Sequence, residues 1–357
     1  MRTGIANLPL HYGSAPPWLF RRMVELSKSI LEVMVLEHGR ETLLKRLSDP
    51  FWFQSLGCLL GFDWHSSGLT TTLCGALKEA LKDVGYEIGI YMVGGKGKTA
   101  LNTPLEIDTI SQRVGLNGDR LKDVSRLVAK VDNVLLQDGY QLYHHTLLFT
   151  EDGKWCVIQQ GMNQKEGYAR RYHWLSLQVK SFVEEPHSGI SSEKVHERID
   201  LNMVAKESEP VRAAIKDMLK DRKALLEELK RVETLSMPRR HPIREEDVDL
   251  KRLRNYVSKM EERDIASFED VLRIRGVGPR TIRALSLLSE LLYGSKPSFK
   301  DPARYSFAHG GKDGYPYPVD RKTYDTTIES LKKAIERAKV GEREKLEAIR
   351  KLCKMMG

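Results

Sequence analysis

The first third of the chain spaces its apolar residues as amphipathic helices do. Apolar side chains three and four positions apart run through PPWLFRRMVELSKSILEVMVLEHG, which starts with proline and ends at Gly39. Similar spacing continues toward Lys82. The pattern therefore predicts helices from Ala15 to Lys82, each packing one face on a core.

The pattern then changes to short β-prone runs. One of them, YEIGIYMVGGKGK, ends in a glycine–lysine loop. Two more flank the turn residues Glu151 to Lys154 within LQDGYQLYHHTLLFTEDGKWCVIQQGMN, and such an arrangement is typical of a β-hairpin. We therefore expect residues 1–200 to form a mixed α/β domain that carries any catalytic site.

Helical spacing returns in the rest of the chain, with more charge. The segment after Ser208 reads EPVRAAIKDMLKDRKALLEELKRVETLS, and the prolines of MPRRHPI end it. This predicts a charged helical linker over residues 201–246, followed by a helical domain over residues 247–357. The predicted fold class is α+β, with an N-terminal mixed α/β domain joined by a charged helix to an all-α domain.

Composition narrows the classes of protein. With 41% hydrophobic and 30% charged residues among 357, the chain has ordinary globular composition, which excludes disordered and collagen-like classes. The 58 lysines and arginines outnumber the 49 acidic residues, which favours a polyanionic partner. No stretch is typical of a leader or a membrane span, so we expect a cytoplasmic protein with no membrane partner. The four cysteines are widely spaced, which predicts no structural zinc.

One motif in the helical region points to nucleic acid. Gly276-Val277-Gly278-Pro279-Arg280-Thr281 separates a short apolar helix from an amphipathic one. Glycines permit a tight turn, and the free amides at the start of the second helix can bind a phosphate oxygen. The segment resembles the helix-hairpin-helix module of DNA-repair proteins, which implies sequence-independent contact with the DNA backbone. Its predicted DNA-binding residues are Gly276, Gly278, Arg280, Thr281 and Arg283. The alternative is a helical hairpin with a glycine turn and no ligand.

Two other basic clusters are candidate DNA contacts. Lys96 and Lys98 lie in the glycine–lysine loop, which lacks P-loop spacing, so we expect no bound nucleotide cofactor. Arg170 and Arg171 are followed by Tyr-His-Trp, a mixture of cations and aromatics that can hold phosphates and stack bases. The alternatives are an exposed flexible loop for the lysines and a structural contact between hairpin and helix for the arginines.

Candidate catalytic residues cluster near the hairpin. Asp132 and Asp138, with His144 or His145, could hold a divalent metal, Mg²⁺ or Mn²⁺, that activates water against a phosphodiester. Alternation along a strand places the two histidines on opposite faces, so only one can join a given site. A restriction-type nuclease carries a Glu-x-Lys motif on a strand of its core. Here the corresponding segment is Ile158-Gln159-Gln160, so that Gln160 takes the position of the lysine. The alternative is a buried network in which these polar groups satisfy one another.

Two more candidates lie elsewhere in the chain. His65, with Asp63, could act as a base and its orienter, although a helix cap there is the simpler account. Asp320 follows Val319 in an element that resembles the Val-Asp of helix-hairpin-helix glycosylases, where the carboxylate stabilises the developing sugar cation. Its spacing from Gly276 is longer than in that family, and Asp320 could instead cap a helix.

Over its whole length the chain resembles one prokaryotic family. The phrases that carry the resemblance include DPFWFQSLGCLLGFDWHSSGLTTTLCGALKEAL, QDGYQLYHH, VIQQGMN, RRYHWLS and PARYSFAHGGKDG. The family is known only as domain of unknown function 763 and implies no activity.

The sequence leaves three functions open. The first is a DNA-binding protein of repair or replication that acts as a structure-selective, metal-dependent endonuclease. The second is a monofunctional DNA glycosylase that uses Asp320. The third is a non-enzymatic DNA-binding scaffold that recruits a protein partner. Whether the chain is an enzyme, and its oligomeric state, stay open.

Overall fold

The computed structural model describes residues 15–62, 67–192, 195–232, 250–259 and 264–303, with residues 333, 335, 336, 341 and 345. His65 and Asp320 therefore lie outside the described residues. The α-helices are α1 (Pro17–His38), α2 (Arg40–Leu47), α3 (Pro50–Leu59), α4 (Gly68–Ile88), α5 (Lys98–Leu101), α6 (Thr103–Val114), α7 (Gly118–Lys130), α8 (Glu209–Lys220), α9 (Arg222–Val232), α10 (Leu250–Lys259), α11 (Phe268–Arg273) and α12 (Pro279–Tyr293). The strands are β1 (Ile90–Lys96), β2 (Leu136–Gln137), β3 (Gln141–Thr150), β4 (Trp155–Asn163), β5 (Tyr168–Leu175), β6 (Gly189–Ser191) and β7 (Leu201–Asn202).

The predicted N-terminal helices are confirmed, and local chemistry sets their ends. Helix α1 has proline in its first turn and ends at Gly39, whose φ of 79° suits glycine. Helix α3 is capped by Asp49, whose side chain accepts hydrogen bonds from the amides of Phe51 and Trp52. Helix α4 ends at Gly89, which is left-handed with φ 68°. Each boundary thus follows from residues visible in the sequence.

The strands form a five-stranded antiparallel sheet with the order β1-β3-β4-β5-β6. The predicted hairpin is confirmed as β3 and β4, which pair through the turn that contains Gly153. A second, two-stranded sheet pairs β2 with β7. The molecule is therefore a mixed α/β protein.

The large sheet divides the apolar residues into two cores. Leu148, Cys156 and Ile158 face one side, where they pack with helices α1 to α4. Leu147 and Val157 face the other side and pack with helices that include α7 and α8. Because neighbouring residues of a strand point to opposite faces, one hydrophobic strand serves both cores. The arrangement is a three-layer sandwich of helices, sheet and helices.

The later helices share the second core. Helices α8 and α9 lie in the predicted linker, yet Ile215 and Leu229 are buried with residues of the sheet and of α12. The amino group of Lys130, at the end of α7, donates to the backbone carbonyls of Leu272 and Ile274 just before the α11–α12 turn. The described part of the C-terminal half is therefore anchored on the sheet layer, and the division into three domains stays a prediction.

The helices in the described part of the chain include none with the length and apolarity needed to cross a membrane.

Candidate functional site

Asp132 is the acceptor at the centre of a buried polar network. It lies in a π-helical segment, Val131–Leu135, and is fully buried on the α7 side of the sheet. Its Oδ2 accepts from the amide of Gln159 at 2.5 Å and from the indole N–H of Trp174 at 3.0 Å. Its Oδ1 lies 2.6 Å from Nε2 of His187. Both oxygens are thus satisfied by protein groups.

The same network continues to His145 and Ser125. Since the Gln159 amide nitrogen donates to Asp132, its Oε1 is left to accept from Nδ1 of His145, 2.7 Å away. Nε2 of His145 is then an acceptor, and the Ser125 hydroxyl lies 2.8 Å from it. Burial lowers the pKa of His145, so the ring is neutral at neutral pH. A serine, a neutral imidazole, an amide and a carboxylate are therefore linked in series, buried between α7 and the sheet.

Asp138 belongs to a separate ion-pair cluster. Its Oδ2 accepts from Arg170 at 2.9 Å and from the Tyr172 hydroxyl at 2.8 Å, and its Oδ1 accepts from the Tyr140 amide. Arg170 also forms two hydrogen bonds with Asp301. Burial alone would lower the pKa of Arg170, but the charges of Asp138 and Asp301 outweigh it and raise that pKa above its ordinary value. Arg170 is fully buried, so its placement matches the structural alternative better than the predicted DNA contact.

Asp132 and Asp138 do not fit the predicted shared metal site. They lie in different networks, and each of their carboxylate oxygens accepts from a protein donor. Within the described ranges, no three His, Cys, Asp or Glu side chains converge as a metal-binding group. The contacts of these two residues match the alternative of a buried network in which polar groups satisfy one another, and the binding of Mg²⁺ or Mn²⁺ stays a prediction.

The two adjacent histidines lie on opposite faces, as strand alternation predicts. His145 faces α7, whereas His144 faces the layer of helices α1 to α4. In the sheet register His144 pairs with Lys96 on β1 and with Gln160 on β4, and Gln160 pairs with Arg171 on β5. These four residues therefore form one row across the sheet, which we call the polar row: Lys96, His144, Gln160 and Arg171.

Several polar atoms of the polar row have no partner. Among the described residues, the two ring nitrogens of His144 and the side-chain oxygen of Gln160 have no hydrogen-bond partner. The Gln160 amide donates to the carbonyl of Ser67 at 2.9 Å and to the Tyr143 hydroxyl. Burial, helped by the charge of Lys96, lowers the pKa of His144 to about 3, so this ring is also neutral. Buried polar groups normally find partners, so these atoms call for an explanation.

Arg171 is a fully buried cation that contacts only neutral groups among the described residues. Its guanidinium donates to Gln54, to Thr70, to the Pro50 carbonyl and to His173, and it stacks on Phe53. Burial lowers its pKa to about 9. Because Arg171 is fully buried, its placement matches the structural alternative better than the predicted DNA contact.

The predicted glycine–lysine loop is the end of strand β1 and the turn into α5. Lys96 and Lys98 are both exposed. The loop backbone is already engaged, since Gly94 donates to the carboxylate of Glu106 and Gly97 donates to the Tyr143 carbonyl. The two lysines therefore present ammonium groups to solvent, whereas these two amides are used within the protein.

The segment between α11 and α12 forms a tight, exposed turn. Gly276 has φ 90°, and the Tyr256 hydroxyl donates to the carbonyl of Arg275 at 2.8 Å. Arg275, Gly276 and Arg280 are exposed, and Thr281 is half-buried. Gly278 is the residue that precedes α12. The turn is therefore held from beneath by Tyr256 and Lys130, with two arginines on its outer side.

Arg283 differs from this exposed pair. Its Nε donates to the side-chain oxygen of Gln137 at 2.8 Å, and its terminal nitrogen lies 3.4 Å from the carboxylate of Asp200. The Gln137 amide in turn donates to the Pro279 carbonyl. Arg283 thus helps to seat the start of α12 on strand β2, which is a different task from the predicted phosphate contact.

Sequence reasoning missed several members of these networks. Ser125, His187 and Asp301 contribute side chains to the Asp132 and Asp138 clusters, but none stands in a motif with its partners. Asp301, for example, is 131 positions from Arg170 in the chain. No local spacing could have linked them, and only the alternation of polar residues on β3, β4 and β5 hinted at polar clusters on both faces.

The fold and these sites define a three-layer α/β protein whose sheet buries a polar network on each face and whose last described helices form an exposed glycine turn. A family model described as "Protein of unknown function (DUF763)" matches residues 4–319. The chain belongs to this family. Comparisons with curated proteins and with solved structures gave no match.

Proposed function

We propose that the protein is a DNA-binding protein of repair or replication that grips the phosphate backbone through the α11–α12 turn. The observation that carries the proposal is the exposed turn around Gly276, with Arg275 and Arg280 on its outer side. The first amides of α12 have no partner within the helix, and its dipole favours an anion at this end. The resemblance to the helix-hairpin-helix module of DNA-repair proteins supports the same interpretation.

The neighbouring surface extends the basic character of the turn. Helix α10, which supplies Tyr256, also borders an open groove of about 530 Å³ against α9. The groove is lined by eight residues, among which Lys223, Lys230 and Arg254 are basic and Glu227 is acidic. A backbone that follows the turn would meet Arg254 on α10 and the two lysines on α9. Contacts with phosphates depend on charge and spacing and do not involve the bases, so we expect binding without sequence preference.

Binding without cleavage is the function that the described residues support best. Asp132 and Asp138, the acidic residues predicted to hold a metal, each accept hydrogen bonds from protein groups on both carboxylate oxygens. The predicted glycosylase residue, Asp320, lies outside the described residues. A scaffold that holds DNA and recruits a protein partner is therefore favoured over the nuclease. The Asp132 network is the observation that favours it, because both oxygens of this buried carboxylate already accept hydrogen bonds from protein groups.

The test is the salt dependence of DNA binding by variants of the turn. Arg280→Ala should weaken binding of a fluorescent duplex about three- to tenfold and lower the slope of log K against log salt by about 0.9, the value of one lost phosphate contact. The double variant that combines Arg275→Ala with Arg280→Ala should show a larger loss of affinity and a larger decrease in the salt slope. Fluorescence anisotropy between low and moderate salt measures the two quantities.

Lys82→Ala is the matched control, because Lys82 is an exposed cation on α4, in the other helical layer. It should leave affinity and slope nearly unchanged. If Lys82→Ala and Arg280→Ala lose equal DNA affinity, the effect comes from the net charge of the protein, and the assignment of DNA binding to the turn is refuted. A metal-dependent cut in end-labelled DNA by the wild-type protein would instead restore the nuclease.

A further inference from the structure

The unpartnered atoms of the polar row are buried, and the row that contains them begins at an exposed residue on the edge strand of the sheet. Exposure decreases along the row from Lys96, which is exposed, to His144, which is 2% exposed, and to Gln160 and Arg171, which are fully buried. Tyr143, beside His144, is half-buried. The row is therefore a strip of polar groups that begins at the surface and runs inward beneath α4.

The start of helix α4 lies over this strip. The Ser67 carbonyl, immediately before the helix, accepts from Gln160, and the Thr70 hydroxyl in its first turn accepts from Arg171 at 3.2 Å. Helix α4 has 21 residues, and the side chain of Ser67, which precedes it, makes no capping hydrogen bond. The positive end of a long helix thus faces the same polar groups.

The local charge is positive and lacks a counter-ion in the described residues. Lys96 and Arg171 are the cations, and the imidazole of His144 is neutral. Glu106 accepts a hydrogen bond from the Gly94 amide, two positions before Lys96 on β1. Lys78 neutralises this carboxylate in an ion pair of 2.7 Å. A buried cation without a carboxylate is costly unless an anion or fixed dipoles compensate it.

The inventory of donors and acceptors defines what would fit. The Tyr143 oxygen accepts from Gln160, so its own proton is free to donate. A neutral His144 offers one N–H donor and one acceptor, Lys96 offers further donors, and the Gln160 oxygen is an acceptor. The ligand therefore needs several acceptor oxygens, negative charge and at least one hydroxyl donor.

We infer that the polar row binds a hydrogen phosphate group, either inorganic phosphate or a phosphate monoester. The P–O⁻ oxygens accept from Lys96, the Tyr143 hydroxyl and the His144 N–H, and the P–OH donates to the Gln160 oxygen. The observation that carries this inference is the pair of unpartnered nitrogens on a nearly enclosed histidine beneath a helix N-terminus. The site lies on the opposite side of the sheet from α12, so it is independent of the DNA contact proposed above.

The test is calorimetric titration of the full chain at pH 6.5 with inorganic phosphate and, separately, with sulfate. Phosphate should bind saturably, and sulfate should bind at least tenfold more weakly because it carries no hydroxyl at this pH to donate to Gln160. A 5′-phosphorylated oligonucleotide and its 5′-hydroxyl counterpart separate the two sources, since only the former presents a phosphate monoester. Binding of either phosphate source supports the inference.

Variants assign the binding to the polar row. Lys96→Ala and Tyr143→Phe should each weaken phosphate binding about tenfold, as expected for loss of a charge-assisted hydrogen bond, and His144→Ala should abolish it. Lys98→Ala, an exposed lysine two positions away, is the control and should bind as the wild type does. Because Lys96 is exposed, its variant tests the site even if His144→Ala fails to fold.

The inference is overturned if neither inorganic phosphate nor the 5′-phosphate of the oligonucleotide shows saturable binding, in which case water alone fills the strip. It is equally overturned if sulfate matches phosphate, or if Lys96→Ala and Lys98→Ala behave alike. Arg280→Ala should leave phosphate binding unchanged, so failure of this site and failure of the proposed DNA contact are distinguishable.

Discussion

At the scale of single residues, Asp132 shows how much one buried carboxylate can organise. It is fully buried and accepts hydrogen bonds from Gln159, Trp174 and His187. Asp132→Asn replaces one acceptor oxygen by an NH₂ group, which then faces another donor. We expect this substitution to lower the free energy of unfolding by about 3 kcal/mol, because buried donors left without an acceptor are costly. Urea denaturation followed by tryptophan fluorescence measures the change.

The matched substitution is Asp123→Asn. Asp123 is half exposed and pairs with Arg273 at 2.8 Å, so solvent screens the interaction and the expected loss is below about 1 kcal/mol. If the two variants lose equal stability, the three donors around Asp132 do not contribute as the geometry implies.

At the scale of elements, the α11–α12 turn depends on one glycine. A Cβ at Gly276 would lie 2.7 Å from Cε2 of Tyr256, and its φ of 90° is unfavourable for other residues. Gly276→Ala should therefore lower stability by about 2 kcal/mol, the scale of strain at such a position. It should also weaken DNA binding, because the turn must move away from the Tyr256 side chain that supports it.

Gly278 provides the comparison within the same turn. Nothing lies within 4 Å of a Cβ placed there, and its φ is −137°, which any residue adopts. Gly278→Ala should change stability by less than about 1 kcal/mol, within the range of ordinary substitutions. Denaturation and anisotropy measurements on both variants decide the matter, and a Gly278 variant that is as damaged as Gly276→Ala would contradict this account of the turn.

Elements also show what the sequence could and could not predict. The β3–β4 hairpin, helix α1 and the glycine turn were predictable because Gly39, Gly153 and Gly276 act on their immediate neighbours. The opposite orientations of His144 and His145 followed from strand alternation alone. The ion pair of Arg170 with Asp301 was not predictable, since it joins a strand to a segment that only the tertiary fold brings near.

Burial also could not be read from residue type. Arg170 and Arg171 are adjacent cations that the sequence offers as DNA contacts, yet both lie inside the molecule, on opposite faces of β5. One is neutralised by two aspartates and the other is surrounded by neutral acceptors. Only packing distinguishes these environments, because adjacent strand residues with identical chemistry enter different cores.

At the scale of the whole molecule, both faces of the sheet bury neutral histidines, and this couples folding to pH. Burial lowers the pKa of His144 to about 3, and it lowers the pKa values of His145 and His173 as well. The unfolded chain therefore binds more protons than the folded chain as pH falls below the ordinary histidine pKa of about 6.5. Stability is thus fully present above that pH and is lost as the solution is acidified.

His144 alone should account for a loss of about 2 kcal/mol between pH 7 and pH 5, from linkage between its unfolded and folded pKa values. Denaturant titrations across this range should show the decrease, and His144→Gln should flatten part of it. His38, exposed at the end of α1, supplies the control variant His38→Gln, whose slope should match the wild type. The inference that the polar row of the folded chain binds phosphate predicts that added phosphate raises the free energy of unfolding more in the wild type than in Lys96→Ala. If phosphate stabilises both proteins by the same amount, it does not act at the polar row. The pH dependence that His144 contributes would then be a property of the buried core alone.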